Sequence, residues 1–296
     1  MAVKRDEVTG TEITGHEWDG ITELDTNPPR WMSWCLRIAF LWALAYWIAM
    51  PAWPSLSDFT PGILNYQQRQ VVADQLAAAT DAQSPWVTRM AGMSVDDIAG
   101  DAELRDLALK GGKAAFGDNC VVCHGTDAQG RREFPNLADD SWLWGGSLAE
   151  IEQSIAVGIN SNHDESRQSQ MLAFGRDQIL DRSQIQKVAN YVLSLSGADH
   201  DWKAAIMGAE TFSDNCAGCH GEFGLGIEEV GAPNLADGFW IYGGDLATVR
   251  KTIHGGRQGV MPSWSKRLDS VTIKQLAIFV HALGGGQPTE DGDESD

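Results

Sequence analysis

The sequence predicts an all-α protein: one N-terminal transmembrane helix followed by two tandem small helical domains. Three observations carry this. A long apolar run, "WMSWCLRIAFLWALAYWIAMPAW", spans Trp31 to Trp53. Two later stretches align along their length, and each carries Cys-x-x-Cys-His. Neither stretch contains a series of alternating apolar and polar residues of the kind that makes strands.

A chain of 296 residues has room for two modest domains and more. With 41 acidic and 22 basic residues its formal net charge is −19. Such a surface repels nucleic acid and favours basic partners, through steering that salt weakens. Twelve Trp stand against four Tyr, an excess that membrane interfaces and flat cofactors both use.

Residues 1–30 form a polar N-terminal segment. Residues 31–54 form the anchor. At about 1.5 Å per residue the Trp31–Trp53 run is roughly 34 Å long, enough for a hydrocarbon core of about 30 Å. Trp31, Trp34 and Trp53 lie near its ends, where aromatic belts form, and Pro51 and Pro54 close it. Arg37 lies inside the run and is expected to snorkel towards the N-terminal side, with a polar contact to a partner subunit as the alternative. A cleaved signal peptide fits poorly, because the preceding region is long and acidic. Arg30 and Arg37 favour an N-terminus on the inside. Cys35, within the run, reads as a small buried apolar residue.

Residues 55–100 read as a connector with one helical piece, "LNYQQRQVVADQLAAA". The first repeat covers 101–197 and the second 203–285. "LALKGGKAAFGDNCVVCHG" aligns with "WKAAIMGAETFSDNCAGCHG", and "PNLADDSWLWGG" with "PNLADGFWIYGG". A Met loop follows in each, "SQMLAFG" and "GVMPSW", and each repeat closes with an apolar helix. Residues 286–296 form an acidic tail expected to be disordered. Cores this small need a staple, and a large covalently bonded apolar cofactor would provide one.

Cys-x-x-Cys-His is the attachment signal for a c-type haem. Thiols three residues apart share one helix face and reach the two vinyl groups of one porphyrin, and the adjoining His then faces the iron. Cys120, Cys123, Cys216 and Cys219 are therefore the expected thioether sites, with His124 and His220 as proximal ligands. A thioredoxin-like pair would belong beside a βαβ pattern, which is missing here, and the gap between the pairs is far too long for a zinc ribbon. Met171 and Met261 occupy matching loops and are the expected second axial ligands; His163, Met207 and His254 compete. A thioether ligand stabilises Fe(II) and raises the potential. Repeat symmetry favours ligation within each domain. An exchange, in which each Met serves the other domain's iron, is the alternative.

Both repeats resemble class I cytochromes c. That resemblance implies that the Pro135 and Pro233 carbonyls accept the second N–H of each ligating His. Trp142, Trp144 and Trp240 either line the haem edge, bond a propionate or simply pack. "HEWDGITELDTNPPRW" ahead of a single Trp-rich span, then the two haem repeats, resembles the dihaem subunit III of cbb3-type cytochrome c oxidases over about residues 15–285. "TNPPRW" departs slightly from that family's "NPLP-W" form. The family implies two covalently bound haem c groups, and a complex with a haem–copper catalytic subunit and a monohaem cytochrome c subunit. It also implies a single pass through the bacterial inner membrane, with the N-terminus cytoplasmic and the haem domains periplasmic.

The expected function is electron relay, without catalysis by this chain. Electrons come from a periplasmic donor such as a soluble cytochrome c and leave to the monohaem subunit. Two other classes compete. A dihaem peroxidase needs an open distal position on one haem, which matching Met loops oppose. A free membrane-anchored shuttle or gas sensor would stand outside any oxidase, and the polar segment before the anchor opposes that.

Overall fold

The computed structural model describes residues 4–287, so most of the expected acidic tail lies outside the described residues. The chain divides into two compact units, 1–83 and 84–296.

In the first unit, β1 (Ile13–Trp18) and β2 (Ile21–Leu24) form an antiparallel hairpin, with Trp18 opposite Ile21. Asp19 and Gly20 make the turn, both with positive φ, 48° and 85°. Asp-Gly is the usual two-residue hairpin solution because its backbone twist matches that of the strands. The anchor is α1 (Arg30–Ala49). It is shorter than the apolar run because a residue preceding proline is pushed out of the helical region, and Met50, before Pro51, has φ −111° and ψ 160°. Trp53 therefore lies beyond the helix and meets Trp47 edge to face at 4.9 Å. Arg37 lies over the Trp34 ring at 5.3 Å, on the N-terminal side expected for it. The connector helix α2 (Gln68–Ala91) runs farther than its sequence signal and holds Pro85.

The second unit is helical. It contains α3 (Val95–Gly100), α4 (Ala102–Asn119), the single turn α5 (Val121–His124), α6 (Leu148–Val157), α7 (Arg182–Leu195), α8 (Trp202–Asn215), the single turn α9 (Ala217–His220), α10 (Leu246–Gly255) and α11 (Ser270–His281). Side chains cap the longer helices: Asp101, Ser147, Asp181, Asp201, Asp245 and Asp269 each accept from first-turn amides. Ser147–Glu150 and Asp181–Gln184 complete capping boxes.

Two apolar cores result, and they do not follow the order of the repeats. The first joins Leu104, Ala108 and Phe116 of α4 and Ile151 and Ile155 of α6 to Leu276, Ala277 and Val280 of α11. The second joins Val188, Ala189 and Leu193 of α7 to Phe212 of α8 and Val249 and Ile253 of α10. The first helix of repeat one thus packs on the last helix of repeat two. The second core is built from one continuous stretch, α7 to α10, set between α6 and α11 of the first.

The tightest crossings need glycine. A Cβ at Gly112 would lie 2.1 Å from the Gln275 carbonyl oxygen of α11, and one at Gly208 would lie 2.3 Å from the Lys187 carbonyl oxygen of α7. Phe116 meets Phe279 across the first crossing at 5.5 Å, and Tyr191 meets Phe212 across the second at 5.0 Å.

Gly112→Ala is expected to destabilise the unit by about 2–3 kcal/mol despite alanine's better helix propensity, lowering Tm by roughly 5–10 °C. Gly117→Ala, on the same helix with nothing near its Cβ, is expected to leave Tm unchanged or slightly raised. Thermal melts of the two variants check this.

Candidate haem site

In each repeat a helix ends at the first Cys of the motif, and a single turn follows. Cys120 ends α4; the amides of Cys123 and His124 both donate to the Cys120 carbonyl, at 3.1 and 2.9 Å. Cys216 ends α8, and Cys219 and His220 donate to its carbonyl at the same two distances. This turn puts two thiols and an imidazole on one face. No disulfide joins these four Cys.

The loop after each His folds back to orient it. Gly130 donates to the His124 carbonyl and Gly226 to the His220 carbonyl, both at 2.8 Å. His124 Nδ1 lies 3.2 Å from the Pro135 carbonyl, and His220 Nδ1 lies 3.0 Å from that of Pro233. A carbonyl only accepts, so the proton sits on Nδ1 and leaves the Nε2 lone pair for a metal. Burial holds both imidazoles below their usual pKa, against the opposing pull of the proline carbonyls. Both are therefore neutral at pH 7, as ligation requires.

Burial, with the neighbouring Cys as a lesser cause, pushes the Cys120 and Cys216 thiols up to about 11. Redox-active Cys-x-x-Cys pairs need the opposite, a stabilised thiolate.

The Met loops are joined across the repeats. Met261 and Ile159 exchange amide–carbonyl bonds at 2.9 Å in both directions, and Met171 and Arg257 do so at 2.9 and 3.1 Å. Gly158 and Gly256 permit this. Each has positive φ, 73° and 69°, and at each a Cβ would lie 2.5 Å from the paired Met carbonyl oxygen. Met261 packs with Cys120 and Val121 against the first core. Met171 packs with Cys216 and Ala217 against the second. Symmetry within repeats suggests the opposite grouping; the helix exchange produces this one.

The competing residues are engaged elsewhere. His163 Nδ1 accepts from the Glu165 amide, Met207 is exposed on α8, and His254 Nδ1 packs on Gly175. Trp142 gives its indole N–H to the Gly285 carbonyl. Trp240 packs on the second core, and Trp144 is buried.

Two arginines went unnoticed in the sequence although the signal was there: "RQ" precedes each Met by four residues. Arg167 lies 5.2 Å over the Trp144 ring, and Arg257 lies 4.2 Å over that of Tyr242. Arg167 donates to the carbonyls of Trp144 and Glu150 and to Gln153, but its Nε is buried without a partner. Neither arginine forms an ion pair among the described residues. A porphyrin brings carboxylates, so a guanidinium N–H without a partner, in the same helical unit as the Cys pairs and the ligand-ready imidazoles, fits a haem.

A transmembrane-length helix followed by paired helical units with these motifs defines an anchored chain with two cytochrome c domains. Residues 10–57 match the N-terminal domain of cytochrome oxidase-cbb3, FixP; residues 109–196 match cytochrome c; residues 203–280 match cytochrome C oxidase, cbb3-type, subunit III. The chain is 50% identical over 279 residues to the cbb3-type cytochrome c oxidase subunit FixP of Azorhizobium caulinodans, covering 94% of each chain. It is 49% identical to FixP of Bradyrhizobium sp. (95% of this chain, 98% of the other), and 45% identical to the subunit CcoP of Azospirillum sp. (96% and 98%). The chain belongs to the FixP/CcoP family of cbb3-type cytochrome c oxidase subunits. Its cytochrome c domains imply covalently bound haem c.

Gly226→Ala tests the loop that orients His220. Gly226 has φ +84°, and a Cβ there would lie 2.7 Å from the Ala232 carbonyl oxygen, next to Pro233. The substitution is expected to cost about 1–3 kcal/mol in denaturant titrations, and to weaken the Nδ1–H bond seen in imidazole proton NMR.

Proposed function

We propose that this chain is the electron-relay subunit of a cbb3-type oxidase and holds two haem c groups, one at each core. Cys120 and Cys123 anchor the first and Cys216 and Cys219 the second. His124 and His220 are the proximal ligands. The distal ligands would be exchanged: Met261 would serve the iron held by His124, and Met171 the iron held by His220. The observation that carries this is the grouping of Met261 with Cys120 and of Met171 with Cys216. Haem c supplies a one-electron iron couple.

The residues around each site do the rest. The Pro135 and Pro233 carbonyls fix the His tautomer and hold each imidazole in place. The buried cores and Met loops keep water from the distal side, and a thioether there favours the reduced iron. Arg167 supplies a guanidinium N–H to a propionate carboxylate. With His and Met on both faces, a bound haem iron would have no open position for oxygen or peroxide, so the paired Met loops count against a peroxidase. The chain takes electrons from a periplasmic donor such as a soluble cytochrome c and passes them to the monohaem subunit, and so to the haem–copper subunit. The N-terminus is cytoplasmic and the haem domains are periplasmic; the Arg30 and Arg37 charges on the N-terminal side of α1 support this.

The exchange gives a test with two fragments. Residues 168–258 contain every helix of the second core together with Met171, so this fragment is expected to fold with one six-coordinate haem. Residues 84–197 lack α11 and Met261 and are expected to yield no stable holoprotein. Expression with haem-attachment machinery, followed by haem-to-protein ratio and the sulfur-to-iron charge-transfer band, checks both. If 84–197 held a six-coordinate His–Met haem, the exchanged ligation would be wrong.

A further inference from the structure

The two loops that follow the haem-site histidines fold alike but differ in surface chemistry. In repeat one, His124 to Pro135, Arg131 and Arg132 balance Asp127 and Glu133, for a net charge of zero. In repeat two, His220 to Pro233, Glu222, Glu228 and Glu229 stand with no cation, for a net charge of −3. Apolar groups differ as well. Phe223 and Leu225 replace Asp127 and Gln129, and they are 69% and 62% exposed; Val230 is 41% exposed.

None of these groups is held by the fold. Glu222 and Glu229 make no ion pair among the described residues, and Glu228 has only a long contact with the Gln287 amide, at 3.5 Å. The loop backbone beneath them is fixed. Gly226 donates to the His220 carbonyl at 2.8 Å, Leu235 to that of Gly224 at 2.6 Å, and Ile227 and Ala232 are paired. Exposed Phe and Leu on a firmly seated loop bring folding no benefit, because burial is what makes them favourable. A few exposed apolar side chains within a charged rim suit a small, transient contact whose on-rate is set by charge.

We propose that the Glu222–Val230 loop is the docking surface for the electron donor, a small redox protein whose exposed redox centre is ringed by lysines. The inference rests on the electron-relay reading and adds where the electron arrives. On docking, one electron leaves the donor, which is oxidised, and is taken up at the His220 site, whose iron goes from Fe(III) to Fe(II). The apolar side chains seat the donor's face, and the carboxylates steer it. The repeat-one loop, with no net charge and with Asp127 and Gln129 where Phe223 and Leu225 stand, does not compete for it; its Phe134 is less exposed, at 36%.

The test is stopped-flow reduction of the full-length protein in detergent by a reduced, lysine-rich, net-positive monohaem cytochrome c across a range of salt. The unaltered chain is expected to react fastest at low ionic strength. The double variant Glu222→Lys with Glu229→Lys is expected to lose about tenfold or more of its second-order rate constant at low salt and most of its salt dependence. Phe223→Ser is expected to slow the reaction severalfold while keeping the salt dependence. Arg132→Glu, in the repeat-one loop, is expected to stay within twofold of the original. An unchanged rate in the double variant, or an equal effect from Arg132→Glu, overturns the docking surface. Titration of the same samples with dithionite separates the two readings, since a chain that shows no haem reduction by dithionite overturns the relay itself.

Discussion

Everything in the haem-bearing unit depends on one packing choice: α4 lies against α11, and α7 lies against α8. Each contact is made at a glycine that lets backbone approach backbone. Once α11 belongs with α4, the loop before it must reach the first core, and Met261 comes with it. Once α7 belongs with α8, Met171 is carried to the second. The four backbone bonds joining the Met loops to Ile159 and Arg257 follow from the same arrangement. Chain order and spatial order part company here, and the proposed ligand sets follow space.

This arrangement makes the halves unequal. The second core is a continuous stretch whose elements run Met loop, last helix, first helix, Cys motif: a permuted order. The first core is split and closes only when α11 arrives at the end of the chain. The two Cys-motif sites so joined sit in one packed body with reciprocal hydrogen bonds, a stiff setting for the proposed electron transfer because packed interiors transmit strain and resist deformation. Burial of the two motif imidazoles keeps them neutral and ready to bind metal, so burial does chemical work here as well as structural work.

Much of this was legible in the residues. The Cys-x-x-Cys-His pairs pointed to His124 and His220, and the resemblance to class I cytochromes c implied the Pro135 and Pro233 carbonyls that meet them. The anchor was visible, though its end was set by Pro51 acting on Met50 rather than by hydrophobicity. The Asp19–Gly20 turn signalled a hairpin that a polar segment's composition concealed. The Met exchange was hidden because both first helices and both last helices carry the same apolar pattern, so no local feature says which pairs with which. A clue did exist. Only 196–201 join α7 to α8, and elements joined by a short link are usually neighbours in space. Arg167 and Arg257 escaped notice because an arginine in a loop ordinarily reads as solvated surface.

The measurement that bears most directly on the exchange uses a single-haem form of the protein. Replacing Cys216 and Cys219 with Ser leaves attachment only at Cys120 and Cys123. In that background Met261→Ala is expected to abolish the sulfur-to-iron charge-transfer band of the remaining haem, while Met171→Ala leaves it in place. Loss of the band with Met171→Ala and its survival with Met261→Ala would contradict the account.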